Sequence, residues 1–181
     1  FQVSGDEENL FFDFRFARAA NPWQAPEGFS HQLIDLYIDT APGGSLETRI
    51  QGAGVSFAPE HGWEYQLRLM PWGGSALYSQ KDSWPVEVSL LPDGRTIRAQ
   101  VAKTLLGTPK ASWGYYVLVG SYDGFAPDNY RPIKRQAGPW HFGGHRGNSV
   151  IDLLAPEGEG PRSQKTQLSQ PADLYPVGDK H

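Results

Sequence analysis

Apolar residues recur at every second position through several short windows of the chain, the period of strands that bury one face. The clearest window is His31–Thr40. There Ile34, Leu36 and Ile38 occupy one side, and Leu33, Asp35, Tyr37 and Asp39 the other. This alternation predicts a half-buried strand. In Leu10–Arg18 the residues Leu10, Phe12, Phe14 and Phe16 share a face. In Trp63–Met70, Trp63, Tyr65, Leu67 and Leu69 do so opposite Glu64, Gln66 and Arg68. Trp84–Leu91 and Arg95–Ala102 flank Pro92-Asp93-Gly94, a turn sequence that joins them as a hairpin. Trp113–Tyr122 is dense in aromatic and β-branched residues, as a central strand should be.

Weaker windows fill in the rest. Phe1–Ser4 forms a hairpin with Leu10–Arg18 across the polar turn Gly5-Asp6-Glu7-Glu8-Asn9. Leu46–Pro59 has room for one short edge strand, Ala76–Ser79 for a short strand, Lys103–Thr108 for one helical turn and Ser149–Leu154 for a last strand. Asp123–Gly147 has Gly, Pro, Asp and Asn throughout and almost no periodicity. An irregular segment of that length inside a compact domain is usually functional. About nine short strands separated by turn signals predict an all-β fold, an antiparallel β-sandwich. The expected organisation is one domain over residues 1–154 and a polar extension or linker over 155–181. Because the chain opens inside a strand, it is expected to be a piece of something longer.

Composition narrows the function classes. With 39% hydrophobic and 13% aromatic residues the chain can fill a single core. A net charge of −4 and no run of Lys or Arg exclude the cationic surface that nucleic acid requires. No stretch approaches the ~20 apolar residues of a membrane span. The absence of cysteine removes disulfides and thiolate chemistry. No G-x-S-x-G, Walker or dinucleotide fingerprint is present, so nucleophilic catalysis and nucleotide binding are set aside.

The chemistry that remains is aromatic. Six Trp and eight Tyr suit stacking on the C–H face of a sugar ring, with nearby polar groups binding its hydroxyls. Trp63, Trp84 and Trp113 stand at strand starts and are expected in the core or at its rim. Trp23, Trp72 and Trp140 stand in Pro/Gly loops, where a ligand contact and a loop anchor are both open readings. Asp123 and Asp128 offer oxygen ligands on a glycine-containing loop, of the kind calcium takes. Capping of turns explains the same two residues and is the preferred reading. Met70 with His141 or His145 would form a Met/His haem pair, against the commoner role of a lone Met as packing.

The stretches FDFRF, NPWQAPEGFSHQLIDLYIDT, GWEYQLRL, LLGTPKASWGYYVLVGSYDGFAPDNYRPI and PWHFGGHRGNSVIDLL together span most of Leu10–Leu154. They resemble the C-terminal module of glucodextranase and of some amylopullulanases, related to DOMON-type and family-nine carbohydrate-binding sandwiches. The family's usual N-terminal Gly/Asp-rich stretch with a Tyr-Pro motif has no counterpart here. The resemblance implies an immunoglobulin-like antiparallel β-sandwich of jelly-roll or DOMON-like form, non-catalytic, acting in sugar binding or cell-surface association. In the family-nine modules two tryptophans clamp a terminal sugar. By position they match Trp23, in its Asn-Pro-Trp loop, and Trp140.

The expectation is therefore a module of an extracellular or cell-envelope protein that binds an α-glucan or envelope glycan, an oligosaccharide or polysaccharide, through Trp23 and Trp140. Gln24, Trp72, Asn129, Arg131 and His141 assist. Two alternatives stand beside it: a structural domain packing against neighbouring domains of an envelope or enzyme assembly, and a haem-binding DOMON-type electron-transfer domain.

Overall fold

The alternation of side chains is realised as two antiparallel sheets packed face to face. In this computed structural model the residues described are 1–50, 52–122, 130, 135–136, 150–153 and 173–174. The strands among them are β1 (Gln2–Gly5), β2 (Asn9–Arg15), β3 (Gln32–Asp39), β4 (Ser56–Phe57), β5 (Tyr65–Leu69), β6 (Ala76–Tyr78), β7 (Ser83–Pro85), β8 (Glu87–Leu90), β9 (Thr96–Ala102), β10 (Gly114–Ser121), β11 (Val150–Leu153) and β12 (Asp173–Leu174). A 3-10 turn at Pro59–His61 and a single helical turn, α1 (Lys103–Leu106), complete the described elements. One sheet has the order β1-β2-β9-β8 and the other β11-β10-β3-β5-β6-β7, so ten strands form the sandwich where about nine were expected. β12 pairs in parallel with β4, outside both sheets.

The main core lies between the sheets. Leu10, Phe12 and Phe14 of β2 and Ile97, Ala99 and Val101 of β9 pack toward Ile34, Leu36 and Ile38 of β3, Leu67 and Leu69 of β5 and Val117 and Val119 of β10. Each large side chain buried here stabilises the fold by about 1.5–3 kcal/mol. The inward faces predicted for β2 and β3 hold.

Two features differ from the expectation. First, β3 is buried on both faces, because Leu33, Tyr37, Met70, Tyr116 and Leu118 meet a second apolar cluster that includes Ile50, Ala53, Phe57, Trp63 and Tyr130. These residues form a third layer over the β3, β5 and β10 part of the six-stranded sheet, from which the Tyr130 hydroxyl donates to Asp35 and the N–H of Arg49 to the Tyr37 hydroxyl. Trp63 belongs to this outer cluster and not to the face of Leu67 and Leu69, since it precedes the strand; its indole nitrogen donates to the carbonyl of Glu47 at 3.0 Å. Second, the window Trp84–Leu91 is two strands. β7 ends the six-stranded sheet and β8 the four-stranded one, with Val86 between them tied to the carbonyl of Ser75 at 3.1 Å. One apolar run thus crosses between the layers.

Candidate functional site

Asn21-Pro22 begins a loop whose shape is set by one side chain. The Asn21 Oδ1 accepts from the backbone N–H of Ala25 at 2.7 Å and from the Ser30 hydroxyl at 2.5 Å, while its Nδ2 donates to the Ala25 carbonyl at 2.9 Å. Ser30 is fully buried, and its oxygen accepts the N–H of Trp23 at 3.3 Å. Backbone bonds from Gln24 to Asn21, from Gly28 to Ala25 and from Ser30 to Ala20 close the turns. Gln24 is held at φ 55, the left-handed region that side chains normally avoid. Gly28, at φ 87, lets the loop rest on β8: a Cβ there would stand 3.0 Å from the Cβ of Leu90.

This scaffold holds the Trp23 indole outward, 43% exposed, with its flank against the His31 ring at 4.3 Å between centroids and 63° between planes. Partial burial lowers the pKa of His31, which favours a neutral ring beside the indole. Trp72, 41% exposed, stands on the neighbouring Pro71–Gly74 loop. The two loops are joined by the N–H of Glu27, which donates to the Pro71 carbonyl at 3.4 Å.

Topology explains why they meet. β3 and β5 run antiparallel with Ile34 opposite Leu69, so the loop entering β3 and the loop leaving β5 emerge at the same end of the sheet. β10 arrives there too, since Ser121 pairs with Gln32 and the N–H of Tyr122 donates to the His31 carbonyl at 2.8 Å. β11 departs there, with Val150 opposite Gly120. Both flanks of the segment carrying Trp140 therefore lie at the Trp23 end.

Of the expected site residues, Trp23, Gln24 and Trp72 are brought together at this end. Asn129, Arg131, Trp140 and His141, together with the calcium candidates Asp123 and Asp128, lie outside the described residues, as do His141 and His145 of the haem reading. Met70 is buried in the outer cluster, its N–H donating to the Ser75 hydroxyl at 2.9 Å. Trp63 and Trp113 are buried, and Trp84 packs against the main core, as expected for strand-start tryptophans. Among the described residues no group of three or more His, Asp or Glu is placed to hold a metal ion.

A polar cluster missed in the sequence lies beneath the outer layer. The Asp35 carboxylate, fully buried, accepts from Gln66 Nε2 at 2.8 Å and from the Tyr130 hydroxyl, and Arg68 Nε stands 3.1 Å from its Oδ1. Burial raises the Asp35 pKa, against the opposing pull of Arg68 and the two hydrogen bonds. Burial likewise raises the Tyr130 pKa well above the phenol value, reinforced by the adjacent Asp35, which keeps the hydroxyl a donor. The alternation of Asp35, Gln66 and Arg68 with apolar neighbours was the available signal. It reads equally as a solvated face.

The family model that matches this chain, over residues 1–175, is that of the C-terminal, SLH-like binding module of glucodextranase. No curated protein matches it.

Proposed function

The chain belongs to the family of C-terminal, SLH-like binding modules of glucodextranase, and from that premise we propose that it is a non-catalytic module holding a larger extracellular or cell-envelope protein to a glycan. The observation that carries the reading is the pair of exposed indoles, Trp23 and Trp72, on two joined loops at one end of the six-stranded sheet. Indole faces presented by a rigid loop stack on the apolar face of a pyranose, and a loop already ordered loses little entropy when it binds. Trp23 is the central platform. Trp72 and Gln24 assist it, and Trp140, Asn129, Arg131 and His141, outside the described residues, are proposed as further contacts. The ligand class is an α-glucan or envelope glycan. No helix among the described residues is long and apolar enough to cross a membrane.

Aromatic contacts to one or two sugars give a Kd of roughly µM to mM, about −8 to −4 kcal/mol. Isothermal titration with malto-oligosaccharides, cello-oligosaccharides and cell-envelope polysaccharide tests this, with binding expected to one class and lost in Trp23→Ala. Absence of binding to all of them would favour a module that packs against neighbouring domains, since tryptophan also serves protein interfaces.

A further inference from the structure

Behind the Trp23 loop a groove of about 430 Å³ is lined by Glu27, Val86, Glu87, Val88, Ser89, Arg98 and Gln100. Its floor is the outer face of the β8–β9 pair, where Glu87 is opposite Gln100 and Ser89 opposite Arg98. Its wall is Glu27, from the same loop that carries Trp23. The carbonyl of Glu27 accepts the N–H of Leu90 at 3.0 Å, and its N–H is bound to the Trp72 loop, so groove and indoles share one rigid element. Glu27 is four positions after Trp23, a backbone span of at most about 14 Å even if fully extended. The loop is folded back on itself, so the real distance is shorter.

The groove is built. Arg98 is fixed by a two-pronged ion pair with Asp13, both bonds 2.7 Å, and lies over the Phe11 ring at 5.0 Å, which leaves three of its five N–H groups beyond that pair. Its lining alternates acceptors, Glu27 and Glu87, with groups that donate, Arg98, Gln100 and Ser89, beside the half-buried Val86, while Val88 turns into the main core. Partial burial raises the Glu27 pKa, consistent with a carboxyl short of water. Vicinal hydroxyls, each both donor and acceptor on an apolar ring, complement such a lining, whereas a phosphate would meet two carboxylates.

We propose that this groove is a second sugar subsite, continuous with the Trp23 platform, so that the module grips an extended glycan chain along several units and not a terminal sugar alone. The inference rests on the glycan-binding reading above. The test is isothermal titration of the intact chain with a ladder of malto- or cello-oligosaccharides from disaccharide to heptasaccharide, using wild type, Glu87→Ala, Gln100→Ala and Trp23→Ala. The expected result is a Kd that falls at least about tenfold along the ladder in wild type. Glu87→Ala and Gln100→Ala flatten the ladder while leaving the disaccharide Kd within about twofold, and Trp23→Ala weakens every member. Glu87 is exposed, so its replacement leaves the core untouched, and an unchanged melting temperature verifies this. A flat wild-type ladder, or a steep one that survives both groove substitutions, overturns the second subsite and leaves the Trp23 platform standing. No binding to any member overturns both.

Discussion

The Tyr130 hydroxyl donates to the buried carboxylate of Asp35, a residue 95 positions earlier, and so pins Tyr130 to the outer face of the sheet. Tyr130→Phe deprives that carboxylate of one donor and should cost about 1–3 kcal/mol. Asp35→Ala leaves Arg68 buried without its partner and should cost more, about 3–5 kcal/mol. Urea unfolding of the two variants checks the order. A Tyr130→Phe variant as stable as wild type would show that the pin is idle.

Trp23→Ala and Asn21→Ala should separate contact from scaffold. The exposed indole contributes little to folding, so its loss should change stability by no more than about 0.5 kcal/mol while weakening glycan binding at least tenfold. Asn21→Ala strands the buried Ser30 hydroxyl and the Ala25 backbone, and should cost about 1–3 kcal/mol as well as affinity. Thermal melts paired with titration distinguish them.

Gln24 is the one described non-glycine residue at positive φ. Gln24→Gly relieves that strain and should raise stability by up to about 1 kcal/mol. If the amide touches the ligand, the same substitution lowers affinity, so stability and binding move in opposite directions. Parallel shifts of both would remove Gln24 from the site.

The β8–β9 hairpin carries an acid-sensitive element. Asp93 accepts from the Thr96 hydroxyl at 2.6 Å and from the N–H groups of Arg95 and Thr96 at 2.9 Å each, and these bonds lower its pKa from 3.8 to about 2. A depressed folded-state value means the contribution is complete above 3.8 and is lost as the pH falls through about 2. Asp93→Ala should therefore melt below wild type at neutral pH, with the gap narrowing through that acid window. A gap that stays constant down to the lowest pH would refute the assignment.

What the sequence made legible was everything with a clean period or a defined turn. β2, β3, β9, β10 and the Asp93 hairpin follow from alternation and from Pro-Asp-Gly, and the Asn-Pro-Trp loop stood out by composition. What it concealed was burial by a third layer. Polar residues at every second position of β3 and β5 mean water in most sheets, and only the pairing of Asp35 with Arg68 across the two strands, invisible in one dimension, makes them interior. The Val86 crossover was hidden for a related reason. Residues on the two sheets' inner faces are equally apolar, so an unbroken run carries no mark of where the chain changes sheet.

The register of β2 against β9 sets an order of events during synthesis. Asp13 meets Arg98, and Phe12 meets Ala99, so the N-terminal hairpin has no neighbour in its own sheet until the ribosome has made some eighty further residues. At about 5–20 residues per second that is a wait of several seconds. Through it Phe12 and Phe14, both buried at the end, have only β1 beside them in their sheet. Within this module the first hairpin waits longest for its neighbour, and the exposure of the growing domain to aggregation and to chaperones is concentrated in β1 and β2.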